Sequence, residues 1–512
     1  MASDTTPTQA GPKSGPTPRV YLTVTSIAML TAAAIITSLR GLTLMADEEL
    51  TMFVYIAFAV VLFLIPSALV AAELGGAFGK SKQGVGKWVQ EAFGERWGFL
   101  AIWLAWIESN VFYPTGLAFA AAAAAYIFNA RDLANNNIYV GSFCIIAYWL
   151  CTFVAFRGTE TFAKLAKWGF IFGTLVPGVV LVLLAIWWMV TGHAPGWETA
   201  SNIAVTQNGH PRFFPYITGM SSIAFLAGIL LLFAGAEAQG VHVSEMKNPR
   251  RGFPAAVMLA ALISVVIFTL GSLAVAAMLP YNGINLQTGV FSAFDAGFGL
   301  IGGSQVGPSI MALLICVGAL SGVLAWITGP SKGLMATARK GVMPPYWQRT
   351  NKKGIQQNVL IIQGIVVTAI SSIYFIIKDV SAAFFLISAM TIALYILMYL
   401  FMYAAAIYLR YSQPDLERVF RIGKTGNWMM WLVAGVGFLA VAFAFVLSFF
   451  PPSQLPVGSP GLYVGLVAGG VIIFSALPLI IYAFKKPSWT LPEYANDDND
   501  ADGAVATAGS NG

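Results

Sequence analysis

An all-α membrane protein of about twelve transmembrane helices is the fold class that this sequence predicts, on three observations. Of 512 residues, 58% are hydrophobic and only 10% charged, with a mean hydropathy of +0.75; a soluble domain of ordinary composition is far less apolar. The apolar stretches run to helical length, about 20 residues or more, whereas a membrane barrel alternates over segments of about ten. Lysine and arginine are also partitioned between alternate loops, the charge bias that orients helical membrane proteins.

Residues 1–19 are rich in Thr, Pro, Ser and Gly and read as a disordered tail. The membrane domain, 20–484, follows. Its apolar segments are 20–46, 51–75, 97–128, 138–156, 166–191, 216–243, 254–280, 304–329, 358–377, 382–409, 427–450 and 461–484. Of the 28 Lys and Arg, 24 fall in the two tails and the loops after even-numbered spans, counting Lys167 at the start of span five with the loop after span four. Only Arg131, Arg212 and Lys378 lie in the opposite loops, and Arg40 is inside a span. This bias predicts cytoplasmic termini, and it explains the +6 charge without a nucleic-acid partner. Residues 84–96 read as a short amphipathic stretch along the inner interface. Residues 485–512 are polar and acidic, and read as a second disordered tail.

Cys144, Cys151 and Cys316 sit inside apolar runs, so no disulfide framework or clustered metal site is expected. No Walker loop, HExxH or GxSxG string occurs, which leaves the common catalytic signatures without a match.

Polar interruptions at membrane depth must line a protein-enclosed cavity, because lipid satisfies no backbone group. Span six carries one around Ala234, Gly235 and Glu237, and span one carries Thr37-Ser38-Leu39-Arg40-Gly41. The two are in corresponding positions if 20–191 and 216–409 are halves of an inverted repeat followed by helices 427–484, and paired broken helices point to a transport site. Intramembrane ionisable groups point the same way. Glu108 stands in mid-span three beside Ser109, where it either binds an ammonium or a proton or pairs internally with Arg40. Lys167, at the start of span five, is either functional or an interfacial lysine reaching for the headgroups. Tyr395 and Tyr399, four apart, share one face of span ten, turned to a cavity or to neighbouring helices. His193 and His210 fall in the loop before span six; His242 lies close to the span-six break.

These residues resemble the amino acid/polyamine/organocation transporters over nearly all of spans one to ten. The strings that carry the resemblance are Ala72-Glu73-Leu74-Gly75, EMKNPRRGFP from Glu245 to Pro254, and GPSKGLMATARKGVMP from Gly329 to Pro344. Within that superfamily the chain looks most like the glutamate/GABA antiporter branch, through Trp97-Gly98-Phe99 and YLRYSQPD from Tyr408 to Asp415. The resemblance implies a LeuT-type 5+5 inverted repeat with broken helices one and six, exchange of an amino acid for a related amino acid or amine, and no metal cofactor. It puts the family's gating glutamate on Glu237, its paired tyrosines on Tyr395 and Tyr399, and the lysine that replaces a sodium site on Lys167. There are departures too. The aromatic residue of span one is Leu39 here, the acidic residue of span eight is Gly322, span three gains Glu108, and nothing basic follows Lys486 to form an acid-gating plug.

The expectation is an alternating-access exchanger in the plasma membrane, not an enzyme, whose partners are small amino acids or amines and the bilayer. Its substrate site is expected at Thr37, Ser38, Leu39, Arg40, Glu108, Ser109, Ala234, Gly235, Glu237, Leu324, Tyr395 and Tyr399. Gating or proton movement falls to Glu237, Lys167 and Glu108. A proton-coupled symporter is the alternative.

Overall fold

The computed structural model describes residues 23–36, 38–78, 81, 83–157, 165, 167–203, 205–237, 246, 248–452 and 459–492. Thr37, His242, Glu245, the tail 1–19 and residues 493–512 lie outside the described residues. Among the described residues, ten helices are long and apolar enough to cross a membrane: Glu49–Ala77, Glu95–Ile127, Asn137–Phe156, Lys167–Val190, Arg250–Met278, Val306–Val342, Gln357–Ile376, Val380–Ser412, Trp428–Leu447 and Pro460–Ala483. These are spans two to five and seven to twelve of the sequence reading. Span one is a bent pair, Val24–Ile35 and Leu39–Ala46, with 55° between its pieces. Span six begins as the shorter apolar helix Met220–Leu232 and is described as far as Glu237; residues 238–245 fall outside the described residues.

Burial sorts these helices. Spans three and ten have 78% of their most apolar windows covered by protein, span twelve only 17%, so three and ten form the inside and twelve faces lipid. Lipid tails are as apolar as leucine, and helices therefore associate through close packing at small residues. A Cβ on Gly173 of span five would run into the backbone of Gly318 in span eight, and the reverse holds at Gly318. Spans one and six interlock reciprocally. A Cβ on Gly41 would meet Leu232 at 2.5 Å, and one on Gly228 would meet Leu44 at 2.7 Å.

Spans two and five each contain a π-helical turn, Val60–Leu64 and Ile171–Leu175. Such wide turns release carbonyls from the helical ladder. In span two the Phe63 carbonyl accepts from the Tyr403 hydroxyl at 3.3 Å, and the Phe63 ring meets Tyr399 edge-on at 4.8 Å. Span ten is thereby tied to span two along the face that carries its tyrosines.

At the lysine- and arginine-rich end, Glu73 is buried and accepts from Arg410 Nε at 2.5 Å, Arg410 Nη2 at 2.6 Å and the Ile422 amide at 2.7 Å. Arg418 adds a contact of 3.1 Å. Such a planar, charge-assisted fork fixes direction as well as distance, and it joins the end of span two to the end of span ten.

One expectation gains detail and one needs correction. Within 84–96, the amphipathic helix Val85–Phe93 buries Val85, Gly86, Trp88 and Val89 against span three, where Gly86 and Gly98 approach closely. Its apolar face is consumed by protein packing. The tail was expected to be disordered from Lys485, yet residues 485–492 are placed. Lys485 pairs with Glu95 at 2.7 Å, a 3-10 turn spans Pro487–Trp489, and Gln348 Nε2 donates to the Trp489 carbonyl at 2.6 Å.

The turn between spans one and two buries three acids, Asp47, Glu48 and Glu49. Glu49 adopts φ +46°, a left-handed backbone that costs a non-glycine residue roughly 1–3 kcal/mol. Burial pushes the Asp47 carboxyl up to about 7, and burial together with Asp47 pushes Glu48 up. The folded state thus holds the Asp47 proton more tightly than the unfolded chain, whose aspartate titrates at about 4. Its stabilisation is complete below that value and is lost as pH rises through about 7. In thermal melts between pH 4 and 7 the midpoint is expected to fall with rising pH, and Asp47→Asn to make that slope shallower; an unchanged slope would refute the assignment. Gly173→Val is expected to abolish a monodisperse peak in size-exclusion chromatography. Gly435→Ala, where nothing lies within 4 Å, should leave the peak intact.

Candidate functional site

Span six leaves the α-helix at Leu232, and the chain turns at Gly235, whose φ is +112°. A side chain would be strained there, and its Cβ would sit 3.1 Å from the Ala34 carbonyl of span one and 3.4 Å from the Trp326 ring of span eight. Glycine is therefore what lets spans one, six and eight meet at this depth.

The turn delivers Glu237, buried to 8% exposure. Its Oε1 accepts from the Tyr395 hydroxyl and its Oε2 from the Tyr399 hydroxyl. The Gly235 amide donates to the same Oε2 at 3.1 Å and lies 3.1 Å from the Tyr399 oxygen. A carboxylate at membrane depth is costly unless donors surround it, and here three donors come from two elements. The two tyrosine rings stack at a tilt, 5.1 Å apart, with Tyr403 one turn further on at 6.4 Å from Tyr399.

Glu108 reaches the same region from span three. It is buried, the Ser109 hydroxyl is 2.9 Å from its Oε1, and it lies within electrostatic range of Glu237 and Tyr395. No cation pairs with either carboxylate among the described residues. Proline at 114 removes the helical donor for the Asn110 carbonyl, and both polar atoms of the buried Asn110 side chain have no hydrogen-bond partner. Span three thus contributes unsatisfied polar groups around Glu108. Ala234 and Leu324 are buried, and Ser38 caps the short helix Leu39–Gly41, its hydroxyl accepting from the Arg40 amide at 3.4 Å.

Arg40 does not pair with Glu108, one of the two possibilities the sequence left open. One guanidinium nitrogen donates to the Thr115 hydroxyl, and the group lies over the Phe112 ring at 4.6 Å and near Phe384 at 5.8 Å. Thr115 is seven residues beyond Glu108 on the same face of span three, roughly 10 Å along the axis at 1.5 Å per residue. Phe384 precedes Tyr395 by eleven residues of span ten, roughly 16 Å. Arg40 therefore occupies a level well away from Glu237, towards the basic-poor end of the bundle. Lys167 also stays apart: it is exposed and lies over Trp168 at 5.5 Å, as an interfacial lysine does.

Sequence reasoning missed Phe63, Phe112, Thr115 and Trp326. Phe112 and Thr115 follow Glu108 at four and seven residues, so helical spacing alone could have placed them on its face. Trp326 and Phe63 carry no such local signal. Tyr399→Phe leaves a buried carboxylate oxygen one donor short, a loss of about 1–3 kcal/mol, and Gly235→Ala adds backbone strain. Both variants are expected to melt below the parent in detergent, while Tyr411→Phe, at an exposed position, should not.

A profile of amino acid permeases matches residues 20–474. An uncharacterised transporter of Legionella pneumophila is 35% identical over 457 residues, covering 89% of this chain and 95% of its own. The glutamate/gamma-aminobutyrate antiporters of two Lactococcus lactis strains are each 29% identical, one covering 88% of both chains and the other 91%. The matched length takes in spans one to ten, the paired carboxylates and the tyrosines that hold Glu237, and the chain belongs to the amino acid permease family of multi-span membrane transporters.

Proposed function

We propose that this transporter exchanges an amino acid for a related amino acid or amine by alternating access, with the substrate ammonium received between Glu237 and Glu108. The observation that carries this reading is a pair of buried carboxylates at the point where span six leaves its helix, with no cation among the described residues to balance them. A buried negative charge without a partner is expensive, and a substrate ammonium supplies the missing charge. Helix Met220–Leu232 ends five residues before Glu237, and the carboxyl-terminal end of a helix dipole favours a cation. The substrate carboxylate falls to the amides at the opening of span one beside Thr37, Ser38 and Leu39, the matching arrangement for an anion. Tyr395 and Tyr399 hold Glu237 in place and form the aromatic wall.

The relatives named as glutamate/gamma-aminobutyrate antiporters support exchange. The redistribution of charge at Leu39, Arg40, Glu108 and Gly322 argues for a substrate pair of this chain's own. With the basic end in the cytoplasm, as the 24 to 3 bias of the loops favours, the protein sits in the plasma membrane with both termini inside. A second reading, proton-coupled symport, draws on the same unpaired Glu108, which would then carry the proton.

Uptake of labelled amino acids into proteoliposomes separates the readings. Uptake that requires amino acid or amine inside the vesicle is expected, and uptake into empty vesicles driven by a pH gradient would replace exchange with symport. Glu108→Gln is expected to weaken substrate binding at least tenfold, with a melting profile like the parent's. Unchanged binding would remove Glu108 from the ammonium site.

A further inference from the structure

Arg40 is a cation inside span one with no anion beside it. Its guanidinium offers five N–H donors in a planar fork and stays protonated. One nitrogen donates to the Thr115 hydroxyl, the Phe112 and Phe384 rings lie at 4.6 and 5.8 Å, and the Tyr374 phenol is within electrostatic range. A phenol is neutral below about pH 10, so none of these neighbours is negative, and no Asp or Glu pairs with Arg40 among the described residues. Aromatic faces and one hydroxyl offset part of the cost of a charge at membrane depth. The rest of the fork is left to a partner that the chain does not supply.

A small cavity borders Arg40 between the second half of span one, helix Met220–Leu232, the first half of span ten and the facing ends of spans eleven and twelve. No Asp, Glu, Lys or His lines it, and Arg40, Phe384 and Ser388 are among its walls. Its volume is about 50 Å³. Sites for organic ligands run to roughly 300–1,000 Å³, whereas a single water needs only about 10–15 Å³. The cavity therefore takes a chloride-sized ion or a few waters, and it excludes an amino acid. Ser388 stands one turn beyond Phe384 in span ten, the spacing that puts both on one face, and its hydroxyl makes no hydrogen bond among the described residues. The hydroxyls of Thr43, Ser448 and Tyr463, also at the wall, already donate to carbonyls. Two sets of open donors thus face an otherwise apolar space, those of Arg40 and that of Ser388.

We propose that this cavity is a site for a small monovalent inorganic anion of chloride size, held by the open N–H fork of Arg40 and the Ser388 hydroxyl. Water fills the same space but brings no charge to balance the guanidinium, whereas a halide accepts from both donors and neutralises it. Sulfate and phosphate are disfavoured, since each brings four oxygens and more charge than one arginine balances. The bound ion ties span one to span ten, next to the Gly41–Leu232 and Gly228–Leu44 contacts that lock spans one and six. The site is separate from the paired carboxylates: Glu108, Glu237, Tyr395 and Tyr399 are not among the walls, and the levels of Arg40 and Glu108 differ by roughly 10 Å along span three. It is the same for an exchanger and for a symporter.

The test is the NMR line width of chloride with the purified full-length protein in nanodiscs of neutral lipid, at constant ionic strength. Sodium gluconate, whose anion is too large for the cavity, replaces sodium chloride in the titration. Broadening that saturates with chloride is expected, and bromide, a slightly larger halide, should displace it. A parent protein without saturable broadening would overturn the proposal without recourse to any variant. Arg40→Gln should abolish the saturable part, and Ser388→Ala should weaken it about tenfold, as loss of one hydrogen bond to a charged group does. As a second readout, the melting midpoint of the parent should rise with chloride and stay level in gluconate, and that of Arg40→Gln should respond to neither. Saturable broadening that persists in Arg40→Gln would assign the ion to surface cations and refute the site. Displacement of chloride by glutamate or another of the common amino acids would place the ion where a substrate carboxylate binds and refute a separate site.

Discussion

A carboxylate at the depth of a bilayer has to be met by donors from the protein itself, and Glu237 is where this chain meets that requirement. Its two oxygens take the hydroxyls of Tyr395 and Tyr399 and the amide of Gly235. Each donor constrains something larger. The tyrosines fix the rotation of span ten, which the edge contact with Phe63 then ties to the π-helical turn of span two. The amide requires the positive φ of Gly235, and that turn in turn lets the span-one carbonyl of Ala34 and the ring of Trp326 close upon it. Four spans are held in register by the satisfaction of one side chain.

The charges that remain are separated along the axis of the bundle. Glu108 and Glu237 lie within electrostatic range of each other, and Arg40 stands apart, stacked on Phe112 and bonded to Thr115. Had Arg40 and Glu108 formed an ion pair, each would have been satisfied internally and neither would have had affinity to spare for a ligand. Their separation leaves the two carboxylates without a counter-cation among the described residues. In a low-dielectric interior an unpaired charge interacts strongly with whatever completes it.

Stability elsewhere rests on a different kind of contact. The Gly173–Gly318 crossing and the Gly41–Leu232 and Gly228–Leu44 notches are matters of shape. The Glu73–Arg410 fork is electrostatic and lies at the basic end, far along span ten from Phe384. Span ten is thus anchored at its carboxyl-terminal end by an ion pair, at its middle by Glu237, and at its beginning by the Asn285 amide, which donates to the Ser381 hydroxyl at 3.1 Å.

The sequence by itself determined the class and the approximate spans and singled out Glu237, Tyr395 and Tyr399 as candidates, because hydropathy and helical spacing are local properties that need no knowledge of neighbours. It also raised Glu108 and Arg40, since an ionisable group in an apolar run is conspicuous in one dimension. Whether those two pair with each other was decided only by tertiary structure: they belong to different spans, and the offset of those spans along their axes leaves no periodic signal in the sequence. Lys167 shows the same limit, for the local pattern could not say which way a lysine at a span's end would turn. The helix Val85–Phe93 was legible as amphipathic, but amphipathicity does not distinguish lipid from protein as the apolar neighbour, and the protein supplied it. The order of residues 485–492 likewise depends on Glu95 and Gln348, partners more than a hundred residues away in the chain.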